Sequence, residues 1–496
     1  MAAYTPPPRF VDREDELREL RALARAPGPR LALVYGRRRV GKTFLLNHVW
    51  DQQERFYFLA ADTTPEQNRR ELLRELGAWS DRELKPEDYP TWRTVFRLLV
   101  ALADDRPAPL PLIVILDEFQ YLMGPEAGVV SQLNAVWDRE VVGRNLTVIL
   151  CGSEVSTMAA LEAGDSPLYG RINWRARLRP FDYLDTARML AGRSPRQQAY
   201  GYGAFGGTPH YLAAIEPGER FEDAVPRLFL SPRGELHLQL ENLIEQEQGI
   251  RSAPEYRAVL SAVAAGNSAI SAIADAAGLG ERRHVADRAL ETLERLELVR
   301  RERNFQAGRT VPWRFQISDN AVRFWYRFVQ PNRSQLETGE TERVWEHRIR
   351  PYLDTYMGAV FEEMARQAFA RHHERWGLPG AIEWARWEGR DRYRRPIELD
   401  VVAKLDDGRL LTGEVKWSSS PVRHDVHLDL IRDLEDLAAS GQKWAHEALD
   451  PASSHGQLHL SAAGFTDHFR EEAEENERVR LVTLQDLYAS SQDLGT

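Results

Sequence analysis

Only one cysteine, Cys151, and five lysines, Lys42, Lys85, Lys404, Lys416 and Lys443, occur in 496 residues. A lone thiol excludes an internal disulfide and a cysteine-built zinc cluster, and it suits the cytoplasm. Apart from those lysines the 65 basic residues are arginine, and 75 Asp and Glu leave a net charge of −10. The chain as a whole is therefore no polycation, and any contact with nucleic acid has to come from local patches. No apolar run approaches the roughly 18 residues of a membrane helix, so no membrane span is expected. The first eight residues are too short and too rich in proline for a secretory signal. Internal repeats, low-complexity tracts and heptad runs are also missing. What remains, 43% hydrophobic and 28% charged, has the composition of soluble globular protein and length for about three domains.

The scarcity of lysine makes its positions informative. Arginine replaces lysine poorly where a compact charge on a thin stem is needed. Lys42 lies in Gly36-Arg37-Arg38-Arg39-Val40-Gly41-Lys42-Thr43, which fits G-x-x-x-x-G-K-[ST]. An apolar run at 31–35 reads as a buried strand before it, and 43–50 reads as a helix after it. Main-chain N–H groups of such a loop curl around phosphate oxygens, and the helix N-terminus adds its positive end. Lys42 reaches the β- and γ-phosphates and the Thr43 hydroxyl ligates Mg²⁺. ATP and Mg²⁺ are the expected cofactors.

The wholly apolar run 112–116 ends in Asp117-Glu118, and 146–151 ends in Gly152-Ser153. Strands of this kind separated by helices predict an α/β fold with a parallel sheet, whose ligands gather at the carboxyl ends of the strands. Asp117 is placed to hold the Mg²⁺ shell. Glu118 is placed to orient or deprotonate the attacking water, and Ser153 to hydrogen-bond that water or the γ-phosphate. Arg171, in a cluster with Arg175, Arg177 and Arg179, is the candidate for a γ-phosphate contact.

Phe10-Val11-Asp12-Arg13-Glu14 before the loop, Asp117-Glu118-Phe119-Gln120-Tyr121, and Leu168-Tyr169-Gly170-Arg171 together resemble the archaeal-type ATPases. These stand with the AAA+ and STAND groups of P-loop NTPases. The resemblance runs over about 9–330 and implies that Arg13 lies near the adenine. Gly207-Thr208-Pro209 is similar to the G-x-P motif of a STAND helical lid, here expected over 181–250. A nucleotide-operated switch is implied, with an ATP-dependent homo-oligomer as one form it takes.

Residues 251–320 have the pattern of a winged helix, with thirteen arginines against nine carboxylates between 251 and 330. Arg282, Arg283 and Arg288 fall on its third helix, where a recognition helix meets DNA. Arg300, Arg301, Arg303 and Arg309 fall on the wing, suited to phosphates. The run Phe324-Trp325-Tyr326-Arg327-Phe328, in a helical linker over 321–350, reads as core.

The last part, 351–496, opens with a helix over 352–372 and continues with strand patterns at 383–388, 397–403 and 409–417. Asp406-Asp407-Gly408 is a hairpin signal. Glu414 and Lys416, two apart on a strand, share a face, and Asp400 falls on the neighbouring strand. Two carboxylates and a main-chain carbonyl form a hard oxygen site for Mg²⁺, and a lysine beside them suits metal-assisted phosphodiester hydrolysis. Glu362 on the helix offers one more carboxylate. Gly358, Phe361, Glu362, Asp400, Glu414 and Lys416 resemble the PD-(D/E)XK nuclease pattern, with Leu399 where its proline stands. That resemblance implies a restriction-endonuclease-like domain. Two readings follow, an ATPase controlling a Mg²⁺-dependent nuclease, and a STAND-type switch whose C-terminal domain binds without cutting.

Overall fold

The computed structural model describes residues 11–51, 54–106, 111–124, 128–245, 250, 253–308 and 311–489. Phe10 and Arg309 lie outside these. The chain divides into two compact units, 10–180 and 181–496.

The first unit is built on five parallel strands, β1 (Arg30–Tyr35), β2 (Arg55–Leu59), β3 (Leu112–Asp117), β4 (Leu146–Gly152) and β5 (Trp174–Arg177). Their order in the sheet is β2-β3-β4-β1-β5. Every residue of β3 and β4 is buried, because helices cover both faces. Leu31, Leu33, Val114 and Leu116 pack against helices Pro65–Ser80, Trp92–Asp104 and Val129–Glu140. Ala32, Val34, Ile113 and Ile115 pack against helices Glu14–Arg25 and Lys42–Val49. β5 was not foreseen, because Trp174-Arg175-Ala176-Arg177 alternates in burial and reads as a basic surface.

In the second unit, helices Ala253–Ala264, Ile270–Ala276 and Arg283–Arg295 precede a hairpin of β6 (Val299–Glu302) and β7 (Arg314–Ile317). Phe324, Trp325, Tyr326 and Phe328 are buried, as their composition implied. Helix Leu353–His372 then leads into a second sheet. Its strands are β8 (Ala381–Arg390), β9 (Pro396–Leu405), β10 (Leu410–Lys416), β11 (Ser454–Ser461) and β12 (Val479–Thr483), ordered β12-β11-β10-β9-β8. The first three pair antiparallel, and β10, β11 and β12 pair parallel. Val401, Leu411, Val415 and Leu458 face helix Leu353–His372. Leu399, Val402 and Leu410 face helices Asp425–Ala439 and Lys443–Leu449. The segment 181–250 is bound into this unit: Tyr183 Oη donates to the Leu487 carbonyl at 2.8 Å, and Tyr202 shares the core of Met357 and Phe361.

Candidate functional site

The phosphate loop lies between β1 and helix Lys42–Val49. A Cβ on Gly36 would lie 2.2 Å from the Leu178 carbonyl oxygen, so the chain needs glycine there. Gly41 adopts φ 94°, which admits the helix at Lys42. Lys42 is buried and donates to the Gly36 and Arg37 carbonyls at 2.8 and 2.9 Å. Its ammonium is thus folded into the mouth of the loop. Burial lowers its proton affinity, and the nearby Cys151, Glu118 and Asp117 pull the other way. Arg38, exposed, donates to the Tyr121 hydroxyl at 3.1 Å. Arg39 takes a left-handed φ of 71°.

The sheet order places β4 between β1 and β3, so the end of the Ser153 strand lies between the phosphate loop and the acidic pair. Asp117 is fully buried at the end of β3. Its Oδ2 accepts from the Thr43 hydroxyl at 2.8 Å and from the Tyr57 hydroxyl at 2.6 Å. Burial and the Asp117 charge raise the Tyr57 pKa, so the phenol stays a donor. Tyr57 had no sequence signal, because a tyrosine on a strand more often serves the core. Glu118 stands at a left-handed φ of 52°, a strained position of the kind that clusters at functional sites. The Ser153 hydroxyl donates to Glu118 Oε2 at 2.6 Å, and Gln120 Nε2 donates to both. Ser153 therefore holds the side chain of Glu118. Cys151 is buried beside Asp117, and burial raises its pKa, so it stays a thiol.

Arg13 donates to the Arg179 carbonyl and lies 3.4 and 3.5 Å from Asp12 and Glu16. The guanidinium of Arg171 is taken by Asp138, in two bonds of 2.9 and 2.8 Å. Arg175 pairs with Glu162 at 2.6 Å. The arginines of this cluster are thus partly engaged by surface carboxylates.

The second site arises where β9 parts from β10. Their pairing ends at Gly413 and Val401, and beyond it Asp400 Oδ2 accepts from the Val415 amide at 2.9 Å. Asp400 also lies in a bulge. Ala385 and Trp387, two apart on β8, pair with Val402 and Leu399, three apart on β9. The extra residue re-aims the strand, and the core contacts of β9 change face across it. Lys416 Nζ donates to Asp400 Oδ2 at 3.0 Å and also to Glu414 Oε2. Burial and then the Asp400 charge push Glu414 up to about 8. The same two causes push Glu362, on helix Leu353–His372, up to about 7. The four side chains that were expected to act together are thus electrostatically one cluster.

Residues 10–215 match an ATPase domain found predominantly in Archaea. The chain therefore carries an ATP-binding ATPase domain. Residues 325–427 match a family of archaeal and bacterial proteins of unknown function. An uncharacterised protein of Methanocaldococcus jannaschii is 26% identical over 431 residues, which span 85% of this chain and 91% of that one. A Walker-type ATPase of Pyrococcus abyssi is similar in structure, with TM-score 0.49 and 25% identity over 65% of this chain and 98% of its own. The Aeropyrum pernix ORC2 protein follows with TM-score 0.43 and 16% identity, over 68% of this chain and 98% of its own.

Outside the ATPase domain the wing corrects an expectation. Its arginines do not form an open row for phosphates, because Arg300 and Arg301 are held by carboxylates of the protein and Arg303 lies over an aromatic ring. Arg300 donates to Glu363 at 2.6 Å and Glu302 at 2.7 Å, and Arg301 binds Glu294. Arg303 stacks 3.7 Å over the Trp313 ring. On the third helix Arg282 pairs with Glu255 at 3.0 Å, while Arg283 and Arg288 are exposed. No helix among the described residues is long and apolar enough to cross a membrane.

Proposed function

We propose that the ATPase domain governs a Mg²⁺-dependent phosphodiesterase at Asp400, Glu414 and Lys416, acting on nucleic acid. The observation that carries this is the single ammonium of Lys416 shared by the buried carboxylate of Glu414 and the partly buried one of Asp400 at a fork in the sheet. Among the described residues no three His, Cys, Asp or Glu side chains form a metal-binding group by themselves. Asp400 and Glu414 would thus hold Mg²⁺ with a main-chain carbonyl and oxygens of the substrate, as oxygen-ligated Mg²⁺ commonly is. The raised proton affinity of Glu414 fits a cation there, since a surplus of buried negative charge is what a divalent ion relieves. Bound there, the metal would supply Lewis-acid polarisation of the scissile phosphate. Lys416 keeps both carboxylates in place and orients a water. Glu362, whose carboxyl is pushed up to about 7, can hold or release a proton near neutral pH.

At the other site Thr43 and Asp117, already hydrogen-bonded to each other, would hold the Mg²⁺ of ATP. Lys42 swings from its two carbonyls to the γ-phosphate. Glu118, held by Ser153, takes the proton of the attacking water. DNA contacts from this reading fall to the exposed Arg283 and Arg288 and to the C-terminal domain.

The test measures ATP hydrolysis and the cutting of labelled DNA and RNA, single- and double-stranded, with Mg²⁺. Lys42→Arg should abolish ATP turnover, because a guanidinium does not fit the loop. Glu414→Ala should lower cutting by about 10²-fold or more and leave ATP binding intact. A wild-type protein that turns over ATP and leaves every substrate whole would sink the nuclease half.

A further inference from the structure

We propose that the cavity between the winged-helix hairpin and the C-terminal sheet holds one unpaired nucleotide, so that this unit takes single-stranded nucleic acid in preference to duplex. For the fate of the bound strand this rests on the phosphodiesterase reading; for its binding it does not.

The hairpin is fixed where it meets the sheet. The Phe305 amide donates to the Arg386 carbonyl at 3.1 Å. Asn304 Nδ2 donates to the Glu388 carbonyl at 2.6 Å, and its Oδ1 accepts from the Glu388 amide at 3.3 Å. Arg314 pairs with the Glu388 carboxylate. Phe305 is buried in the core of Trp387, Leu399 and Trp444. The hairpin expected to offer its arginines to phosphates is thus packed on the sheet as a wall of the second site.

Behind that wall lies a cavity of about 310 Å³, bounded by Arg303 and Trp313 of the hairpin and by Arg386, Glu362 and Asp400. This is the small end of the range for ligand sites, roughly 300–1,000 Å³. It suits one nucleotide and not a stacked base pair. Arg303 Nε and Arg386 Nε are buried with no hydrogen-bond partner among the described residues, while Nη2 of Arg386 is held by Glu388 and Glu398. A buried N–H without an acceptor is costly, and an anionic oxygen supplies one. Trp313 is 37% exposed with the Arg303 guanidinium stacked on it. Unpaired bases stack on aromatic rings and on guanidinium planes, whereas bases in a duplex are already stacked and paired. Donors for a phosphate, a platform for a base and the Asp400 carboxylate thus share one space, which is the arrangement a single strand needs.

The experiment is fluorescence anisotropy of the full chain with a fluorescein-labelled mixed-sequence DNA oligonucleotide, as single strand and as blunt duplex, in EDTA so that nothing is cut. The single strand should bind about tenfold tighter or more. Trp313→Leu, which keeps bulk and removes the ring, should weaken it by about tenfold, and Trp313→Phe should restore it. Arg303→Gln should weaken it as well. Equal or tighter binding of duplex, or wild-type affinity in both Trp313→Leu and Arg303→Gln, would overturn the proposal. If Mg²⁺ is then added and the bound strand stays whole, the phosphodiesterase reading fails and this one stands.

Discussion

His459 is 1% exposed, and its Nε2 lies 3.1 Å from Nδ1 of the buried His427, so one ring donates and the other accepts. Burial pushes His459 down to about 3 and His427 down to about 4, with the neighbouring His424 adding to both and Lys416 to His459. Their folded values lie below the ordinary 6.5, so the unfolded chain takes up these protons more readily. The pair's contribution to stability is therefore present above about pH 6.5 and is lost as pH falls toward 4 and 3. At pH 5 the loss is about 2 kcal/mol for each ring. Urea unfolding at about pH 7.5 and pH 5 should show a smaller difference for His459→Leu than for wild type. Parallel losses would mean that the rings are not the cause. No sequence signal marks this pair, since 32 residues separate two histidines of no motif. Lys42 and Lys416 stood out in the sequence because the chemistry proposed at each site calls for a lysine at a fixed spacing from its neighbours. The Lys416 contacts with both carboxylates agree with that spacing.

At the scale of elements, periodicity marked β1, β3 and β4 because burial on both faces demands unbroken apolar runs. The order β2-β3-β4-β1-β5 was not legible in it, nor were β5, β11 and β12, whose residues mix polar and apolar. The bulge at Asp400 also has no local signature, since it shows only in the pairing with β8. The hairpin after helix Arg283–Arg295 was visible as an element, but its partner was not. Composition gave its arginines to DNA, whereas Phe305 and Asn304 give the hairpin to β8. Phe305→Ala should therefore cost about 3–5 kcal/mol of local stability, as for a large aromatic removed from a core. The loop carrying Arg303 should become cleavable by trypsin in the folded protein. A variant as resistant as wild type would show that the hairpin is held by its polar contacts alone.

For the whole molecule, the chain divides into two units between Pro180 and Phe181. Beyond it, local composition suggests a lid, a winged helix, a linker and a C-terminal domain, but contacts distant in sequence join them. Asp354 accepts from Tyr200, Arg196 and Trp417, and Glu363 accepts from Arg300. Such pairs follow from three-dimensional packing and leave no trace in any window of the chain. The two-unit division has a thermodynamic consequence. A ligand that binds only the native ATPase unit stabilises that unit by mass action, by about 2.7 kcal/mol at a hundredfold excess over Kd. In scanning calorimetry of the full chain, Mg·ATP should raise one transition by about 5–10 °C and leave a second where it was. Lys42→Ala should abolish the shift, because it removes the ammonium proposed to meet the phosphates. If both transitions rose in the wild type, the two units would be energetically coupled, and nucleotide at the phosphate loop would be stabilising the unit of the carboxylate cluster as well.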